Sequence, residues 1–150
     1  MTSGQHQRVL VADDDPVVRN ILVQALRRKS LIIDEAADGR EAIDLLREHA
    51  YCVVLLDILM PNVNGFGVLD AIDAESLDAP VVLVVSGAER NVLDCLDSQR
   101  IHGIVRKPFD PLEVAAVVAA CVEIRGNRGF ETMALATMVT GAHLIALLKL

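Results

Sequence analysis

Polar residues whose types suit metal and phosphate chemistry follow four apolar runs of this sequence. Asp13–Asp15 come after the first run and Asp57 after the third, while Ser86–Gly87 follow the fourth and Lys107 the fifth. Ligands of an open parallel sheet lie at the carboxyl ends of its strands, so we expect these side chains to meet there. Carboxylates held close together raise one another's pKa, and an oxygen-seeking cation removes that repulsion. The set therefore predicts a site for Mg²⁺ or Mn²⁺.

A cation at this place also suits phosphoryl transfer, because it shields an attacking carboxylate from the negative charge of phosphate. Lys107 and the Ser86 hydroxyl are placed to hold the other phosphate oxygens, and Gly87 leaves its backbone N–H open to an anion. Taken singly, Asp57 and Ser86 would more often be turn residues and Lys107 a solvated charge. Their joint spacing, with Met60-Pro61 after Asp57, favours the chemical interpretation.

The chain that must position these residues alternates short apolar runs with segments of helical period, which is the pattern of βα units. Runs without polar alternation predict strands that are buried on both faces beneath two helix layers. The predicted strands are Val9–Ala12, Leu31–Ile33, Cys52–Leu56, Val81–Val85 and Gly103–Val105. The predicted helices start after Pro16 and Gly39, cover Phe66–Ala74 and Asn91–Gln99, and begin again at Pro111 with Asp110 as N-cap. The fold class is α/β in (βα)5 order.

Four motifs carry a resemblance to a known family. They are Val-Leu-Val-Ala-Asp-Asp-Asp-Pro from residue 9, Leu-Asp-Ile-Leu-Met-Pro-Asn-Val-Asn-Gly from 56, Val-Ser-Gly-Ala from 85 and Arg-Lys-Pro-Phe from 106. Over residues 8–122 the chain resembles the receiver domains of two-component response regulators. The resemblance implies a flavodoxin-like, doubly wound sheet of five parallel strands. It also implies a switch that takes a phosphoryl group from a histidine kinase or phosphotransfer protein.

The resemblance assigns a role to each site residue. Asp57 would be the phosphoacceptor and, with Asp14, a direct metal ligand, whereas Asp13 would act through water. The backbone carbonyl of Leu59 would be a further ligand. Ser86 would be the switch hydroxyl and Lys107 the phosphate-binding base.

Two features of the fifth strand region also follow from the resemblance. A cis peptide is expected between Lys107 and Pro108, since X–Pro bonds lose most of the usual trans preference. Many receivers carry an aromatic residue three positions before the lysine, where this chain has Ile104. The aromatic switch is therefore absent, and the sequence leaves open how phosphorylation is coupled to the face formed by the fourth helix, fifth strand and fifth helix.

Composition excludes some classes of function. The formal net charge is −7, and no long basic run could follow nucleic-acid phosphates, so direct nucleic-acid binding is not expected. Cys52, Cys95 and Cys121 lie far apart within apolar segments, which is typical of small buried side chains in a reducing cytoplasm. The short polar segment 1–8 does not resemble a secretory signal. We therefore expect a cytoplasmic protein.

The C-terminal region departs from the receiver pattern. The receiver domain is predicted over 1–124, a linker over 125–129 and an apolar helix over 130–150. A helix of about 20 residues reaches roughly 30 Å, near the span of a bilayer core, but His143 and Gly141 within the segment argue against a membrane span. A helix that is apolar all round is otherwise buried. We therefore expect either a homo-oligomer through the fifth and C-terminal helices or the remainder of an output region.

Two alternative functions remain open at this point. Asp13-Asp14-Asp15-Pro16-Val17 also fits the Asp-x-Asp-x-Val pattern of haloacid-dehalogenase phosphatases, with Asp13 as the nucleophile. That class needs a second acidic cluster after the lysine, and it leaves Asp57 unexplained. The other alternative is a receiver fold that binds partners without phosphorylation, against which the complete acidic set argues.

Overall fold

The computed structural model describes residues 7–75, 79–126 and 144–145. The strands there are β1 (Arg8–Ala12), β2 (Ile32–Ala36), β3 (Val53–Leu56), β4 (Val81–Ser86), β5 (Gly103–Arg106) and β6 (Leu144–Ile145). The helices are α1 (Pro16–Arg27), α2 (Gly39–Glu48), α3 (Gly65–Ala74), α4 (Arg90–Leu93) and α5 (Pro111–Gly126). The strands form one sheet in the order β2-β1-β3-β4-β5-β6. Its first five strands pair in parallel, which confirms the predicted α/β fold.

The sheet divides the hydrophobic core into two layers. Val53 and Leu55 of β3 point into the layer under α1 and α5, whereas Val54 and Leu56 point into the layer under α2 and α3. Strands β3 and β4 are buried along their whole length, which explains why their sequences lack polar alternation. Both layers hold the central strands in place, and the ends of those strands are fixed as a result.

Two aspartates cap helices at the carboxyl edge of the sheet, and the sequence predicts this role for Asp110. Asp15 Oδ1 accepts the backbone N–H of Val17 at 2.9 Å and caps α1. Asp110 Oδ1 accepts the N–H of Leu112 at 2.8 Å, with Pro111 as the first residue of α5. These caps satisfy amides that the first helical turn leaves without partners.

Strand β2 is longer and more polar than predicted. It continues beyond Ile33 through Asp34 and Glu35 to Ala36. A charged residue fits there because β2 is an edge strand and Asp34 is paired: its Oδ2 accepts the Arg8 guanidinium and the Tyr51 hydroxyl, each at 2.7 Å. Because the hydrogen bonds from Tyr51 and Arg8 outweigh the opposing effect of burial, the pKa of Asp34 is lowered.

The fourth helix is much shorter than the predicted segment 91–99. After the single turn of α4 the chain continues in turns to Arg100. Asp97 Oδ1 accepts the N–H of Gln99 at 2.8 Å, a local bond that competes with helix continuation. The Arg100 guanidinium then ties the segment to α3 through ion pairs of 2.7 Å with Asp70 and 2.8 Å with Asp73.

The cysteines are only partly as expected. Cys52 and Cys121 are buried in the core layer under α1 and α5. Cys95 is exposed, because the helix that would have turned it toward the sheet ends two residues earlier. The prediction of a buried side chain is therefore wrong for Cys95.

The C-terminal region is described only in part. Leu144–Ile145 form β6, which runs antiparallel to β5 and pairs with Ile104 and Val105, so the prediction of helix is wrong at these two residues. Strand β5 would otherwise present unpaired N–H and C=O groups at a sheet edge, and an extended segment satisfies them. Helix α5 continues through Gly126, two residues into the predicted linker. The rest of the predicted linker and C-terminal helix lies outside the described residues. Within the described ranges, no helix is both long and apolar enough to cross a membrane.

Candidate functional site

The side chains that the sequence singled out meet at the carboxyl edge of the sheet. Asp13 follows β1 and Asp57 follows the adjacent strand β3. Lys107, just after β5, places its Nζ 2.8 Å from Asp13 Oδ2 and 3.2 Å from Asp57 Oδ2. One carboxylate oxygen from each of Asp13, Asp14 and Asp57 lies within 4.8 Å of the others. The parallel strand order therefore assembles three acids and one base from residues up to 94 positions apart in sequence, as Asp13 and Lys107 are.

Burial sets the electrostatics of this acidic cluster, defined as Asp13, Asp14 and Asp57. Asp13 and Asp57 are only 1% and 4% exposed, while Asp14 faces solvent. Burial raises the pKa of Asp13, and the charge of Asp57 adds to that rise, whereas the hydrogen bond to Lys107 opposes it without offsetting it. Burial alone would lower the pKa of Lys107, but the hydrogen bond to Asp13 and the charge of Asp57 outweigh it, so the pKa is raised. Lys107 is therefore a cation at neutral pH.

The acidic cluster fits a divalent cation. Asp13 Oδ2 is buried and is paired with Lys107 Nζ at 2.8 Å. Three carboxylates facing one ammonium leave an excess of negative charge, which a hard cation with oxygen ligands would balance. Exposure of Asp14 leaves the cluster open to solvent on one side. Which acid binds directly and which through water stays a prediction, as does the Leu59 carbonyl ligand.

Ser86 and Gly87 line the cluster on the β4 side. Ser86 is fully buried, and its Oγ accepts the N–H of Ala88 at 3.1 Å. The Ser86 carbonyl accepts the N–H of Lys107, also at 3.1 Å, so β4 and β5 are joined beside the site. A Cβ added to Gly87 would come no closer than 3.8 Å to other atoms, those of the Lys107 side chain. Gly87 therefore lies against the Lys107 side chain at ordinary van der Waals distance, with room for one added methyl group.

Glycine is required at position 65, where the loop after Asp57 turns back on itself. The Gly65 N–H donates to the Ile58 carbonyl at 2.9 Å. A Cβ at Gly65 would lie 2.6 Å from the Asp57 carbonyl oxygen and 2.7 Å from Ile58 Cα, closer than any side chain tolerates. On the other side of the site, the Lys107–Pro108 peptide is cis, as the resemblance implied.

Arg19 contributes to the site and was missed by sequence reasoning. Its Nη1 donates to the backbone carbonyl of Asp13 at 2.7 Å, and its Nε lies 3.3 Å from Glu35 of β2. The guanidinium therefore ties α1 to the end of β1, where the acidic residues begin. An arginine in an amphipathic helix has no sequence pattern that separates this role from a solvated surface charge.

The fold and the acidic cluster are those of an α/β signalling switch domain, and comparison with known proteins agrees. Residues 9–119 match the family model of the response regulator receiver domain. The chain belongs to this family, which favours the receiver over the haloacid-dehalogenase alternative.

Individual relatives support the same assignment. The transcriptional regulatory protein SrrA of Staphylococcus aureus is 34% identical over 112 residues, which are 75% of this chain and 46% of that protein. The chain thus spans about half the length of the curated relatives it matches. The response regulator TrrA of Thermotoga maritima, solved in complex with Mg²⁺-BeF, superposes with a TM-score of 0.67 at 29% identity over 77% of this chain and 98% of that one. The receiver domain of the response regulator NarL from Mycobacterium tuberculosis gives 0.67 at 30% identity over 77% and 95%.

Proposed function

We propose that Asp57 accepts a phosphoryl group from a histidine kinase or phosphotransfer protein, and that this modification changes which partners the chain binds. The observation that carries the proposal is the buried Asp57 carboxylate, which lies within 4.8 Å of the other two acids of the cluster and 3.2 Å from the Lys107 ammonium. A carboxylate in this position has a cationic group ready to receive incoming phosphate oxygens. The chain is then a switch that assists its own modification.

The proposed transfer is a displacement at phosphorus. A carboxylate oxygen of Asp57 forms the new P–O bond as the bond from phosphorus to the donor's histidine nitrogen breaks, and the bonding electron pair leaves with the imidazole. Lys107 holds a phosphate oxygen, and its positive charge balances the charge that Asp57 gains. The Ser86 hydroxyl and the Gly87 N–H hold the others. Mg²⁺ bound by Asp13, Asp14, Asp57 and the Leu59 carbonyl would neutralise phosphate charge during the transfer.

Exposed apolar side chains around the site support a protein as phosphoryl donor. Val17 at the start of α1 is 63% exposed and Leu112 at the start of α5 is 59% exposed. Leu59, next to the acidic cluster, is 54% exposed. All three lie at the edge of the sheet that carries Asp57, where a docked protein would cover them and bring its phosphohistidine to the acid.

The remaining parts of the proposal concern assembly and location. Helix α5 turns Val114, Val117 and Val118 to the core and leaves Ala116 on its exposed face. A second copy can approach closely on such a small side chain, so we include a homo-oligomer through α5 in the proposal. A cytoplasmic location and the lack of direct nucleic-acid binding, both expected from composition, belong to it as well.

Intact-mass measurement after incubation with acetyl phosphate and Mg²⁺ tests the proposal. The wild-type chain should gain one phosphoryl group, EDTA should prevent the gain, and Asp57→Asn should gain none. Asp15→Asn is the matched control, because it removes one neighbouring acid while asparagine can still cap α1. Labelling that persists in Asp57→Asn and disappears in Asp13→Asn would restore the phosphatase alternative. No labelling of any chain would favour the interaction module that works without phosphorylation.

A further inference from the structure

The loop that follows Asp57 is held at its far end by the start of α2. Asn62 Nδ2 donates to Asp38 Oδ2 at 2.9 Å. The other oxygen of the same carboxylate, Oδ1, accepts the N–H of Glu41 at 2.8 Å and caps α2. One side chain therefore fixes both the beginning of a helix and a loop 24 residues further along the chain.

The backbone at Asn62 needs this support. Its φ of 64° lies in the left-handed region, which L-residues enter at a cost and asparagine tolerates better than most. The hydrogen bond to Asp38 holds the side chain of a residue whose backbone conformation is otherwise unfavourable. Loss of that bond would free the loop to leave the conformation seen here.

Two glycines accommodate the next residue of the loop, Val63. A Cβ at Gly39 would lie 2.0 Å from the Val63 carbonyl oxygen, and a Cβ at Gly67 would lie 2.5 Å from Val63 Cγ1. Val63 is thus seated between the first turns of α2 and α3, where no further side chain fits. The contact leaves the loop little freedom at this end.

The near end of the loop is part of the acidic site. Asp57 Oδ1 accepts the N–H of Leu59 at 3.2 Å, and the Gly65 N–H closes the loop on the Ile58 carbonyl at 2.9 Å. The backbone that would offer its carbonyl to the cation therefore lies between a fixed acid and the Asn62 contact. A shift of the loop at Asn62 is transmitted to Leu59 through only two intervening residues.

We propose that Asp38 and Asn62 are positioning residues for the cation site: their hydrogen bond holds the loop of residues 58–64 in the conformation that binds Mg²⁺. The inference rests on the proposed function, in which Asp57 and the Leu59 carbonyl are ligands. Neither Asp38 nor Asn62 belongs to the acidic cluster, so both act through the loop backbone.

A hydrogen-bond exchange between the two residues tests this role. In Asn62→Asp two carboxylates face each other, so this variant loses the bond. In Asp38→Asn the Asn62 amide can turn over, so that its oxygen accepts from the new amide and the bond is kept. In the double variant the asparagine at 38 can cap α2 with its oxygen and donate its amide to the aspartate at 62. Mg²⁺ affinity is measured by titration calorimetry on the full chain, and the unfolding midpoint is measured separately in EDTA.

Asn62→Asp should bind Mg²⁺ about threefold to tenfold more weakly, whereas Asp38→Asn and the double variant, which both keep the bond, should stay within about twofold of wild type. Weaker binding by Asn62→Asp would oppose simple electrostatics, because that variant adds a negative charge near the cation. Asp44→Asn is the matched control for Asp38→Asn: it removes the same charge from the same helix at an exposed position and should leave the affinity unchanged.

Three results would overturn the positioning role. They are unchanged affinity in Asn62→Asp, a double variant as weak as Asn62→Asp, and a lower unfolding midpoint of Asn62→Asp in EDTA without any loss of its Mg²⁺ affinity. If wild-type protein itself binds no Mg²⁺ while the control protein is folded, the proposed cation site fails, and the positioning role fails with it.

Discussion

The Nζ of Lys107 lies 2.8 Å from Asp13 Oδ2, nearer than the 3.2 Å that separates it from Asp57 Oδ2. Without phosphate, the lysine is therefore shared between two acids and is closer to the one that is not the proposed acceptor. A phosphoryl group on Asp57 must compete with Asp13 for the same ammonium. The positive charge of Lys107 also competes with a divalent cation for the same carboxylates.

We expect Lys107→Met to separate cation binding from phosphorylation. Removal of the ammonium leaves Asp13 and Asp57 without their positive neighbour, so Mg²⁺ should bind several-fold more tightly. Phosphorylation should slow by about 100-fold or more, because the group that holds a phosphate oxygen is lost. Calorimetry and intact-mass time courses measure the two effects. Lys29→Met, at an exposed position, is the control, and parallel losses of both properties would contradict the prediction.

Asp13→Asn should stabilise the fold in a manner that depends on pH. Burial raises the pKa of Asp13 in the folded state, so its ionised form lowers the free energy of unfolding at neutral pH. That loss is relieved as the pH falls through the raised value toward the ordinary 3.8. In EDTA the variant should therefore gain on the order of 1 kcal/mol at pH 7 and little near pH 4. Denaturant unfolding at both pH values measures the gain, and a benefit that grows toward pH 4 would refute this account.

Gly65→Ala and Gly87→Ala should differ sharply in their effect on the free energy of unfolding. Gly65→Ala would place a Cβ 2.6 Å from the Asp57 carbonyl oxygen, so the strand end must shift, and we expect a loss of about 2–3 kcal/mol in unfolding free energy with impaired phosphorylation. Gly87→Ala meets nothing closer than 3.8 Å and should change stability by less than about 0.5 kcal/mol. Thermal unfolding compares them. Equal losses would show that packing at Gly65 does not control the acceptor.

Val17→Glu should impair transfer from a protein donor and spare transfer from acetyl phosphate. Covering the exposed Val17 side chain against a docked partner is worth roughly 1.5 kcal/mol, so its loss should weaken donor binding by about tenfold. Gln24→Glu adds the same charge further along α1 and is the control. Phosphoryl transfer from a purified phosphorylated kinase is compared with labelling by acetyl phosphate. Equal effects on both reactions would mean that Val17 affects the transfer step itself and not donor docking.

Truncation after Gly126 should leave the acceptor intact and change association. Every segment that forms the acidic site precedes the cut, so labelling of Asp57 by acetyl phosphate should persist. Removal of residues 127–150, whose composition is mostly apolar, should shift the protein toward monomer in light scattering. An unchanged oligomer would assign association to α5 alone, and a monomeric full chain would contradict the proposed assembly.

The sequence was sufficient to place the acidic site because the site lies at the ends of buried strands. Apolar runs locate those ends within a residue or two, and parallel order then brings Asp13, Asp57 and Lys107 together. The length of β2 was underestimated because an edge strand can carry Asp34, whose partners are Arg8 of β1 and Tyr51, two residues before β3. Hydrophobic periodicity predicts which residues are buried. It does not predict a charged residue in a strand whose charge is neutralised by tertiary contacts.

Contacts that depend on loop conformation could not be predicted. The bond between Asp38 and Asn62 needs a left-handed backbone at one residue and a helix cap at the other, and no local pattern relates two positions 24 apart. The same holds for Arg19, whose guanidinium reaches a backbone carbonyl that any sequence would provide. For α4, the apolar spacing suggested helix beyond Leu93, and turn formation by Asp97 prevailed.

Because α4 is a single turn, the connection between β4 and β5 is less rigid than the other crossovers of the sheet. The crossovers before it contain helices of 12, 10 and 10 residues, whereas the β4–β5 crossover contains 4 helical residues. Helix cooperativity grows with length, so this crossover can open locally at a lower free energy than the others. Its anchors are the buried Leu93 and Ile101 and the ion pairs of Arg100. The crossover starts directly after Ser86, so a structural change at Asp57 should be accommodated more easily in the β4–β5 crossover than elsewhere in the sheet. Amide hydrogen exchange should therefore be fastest in this crossover.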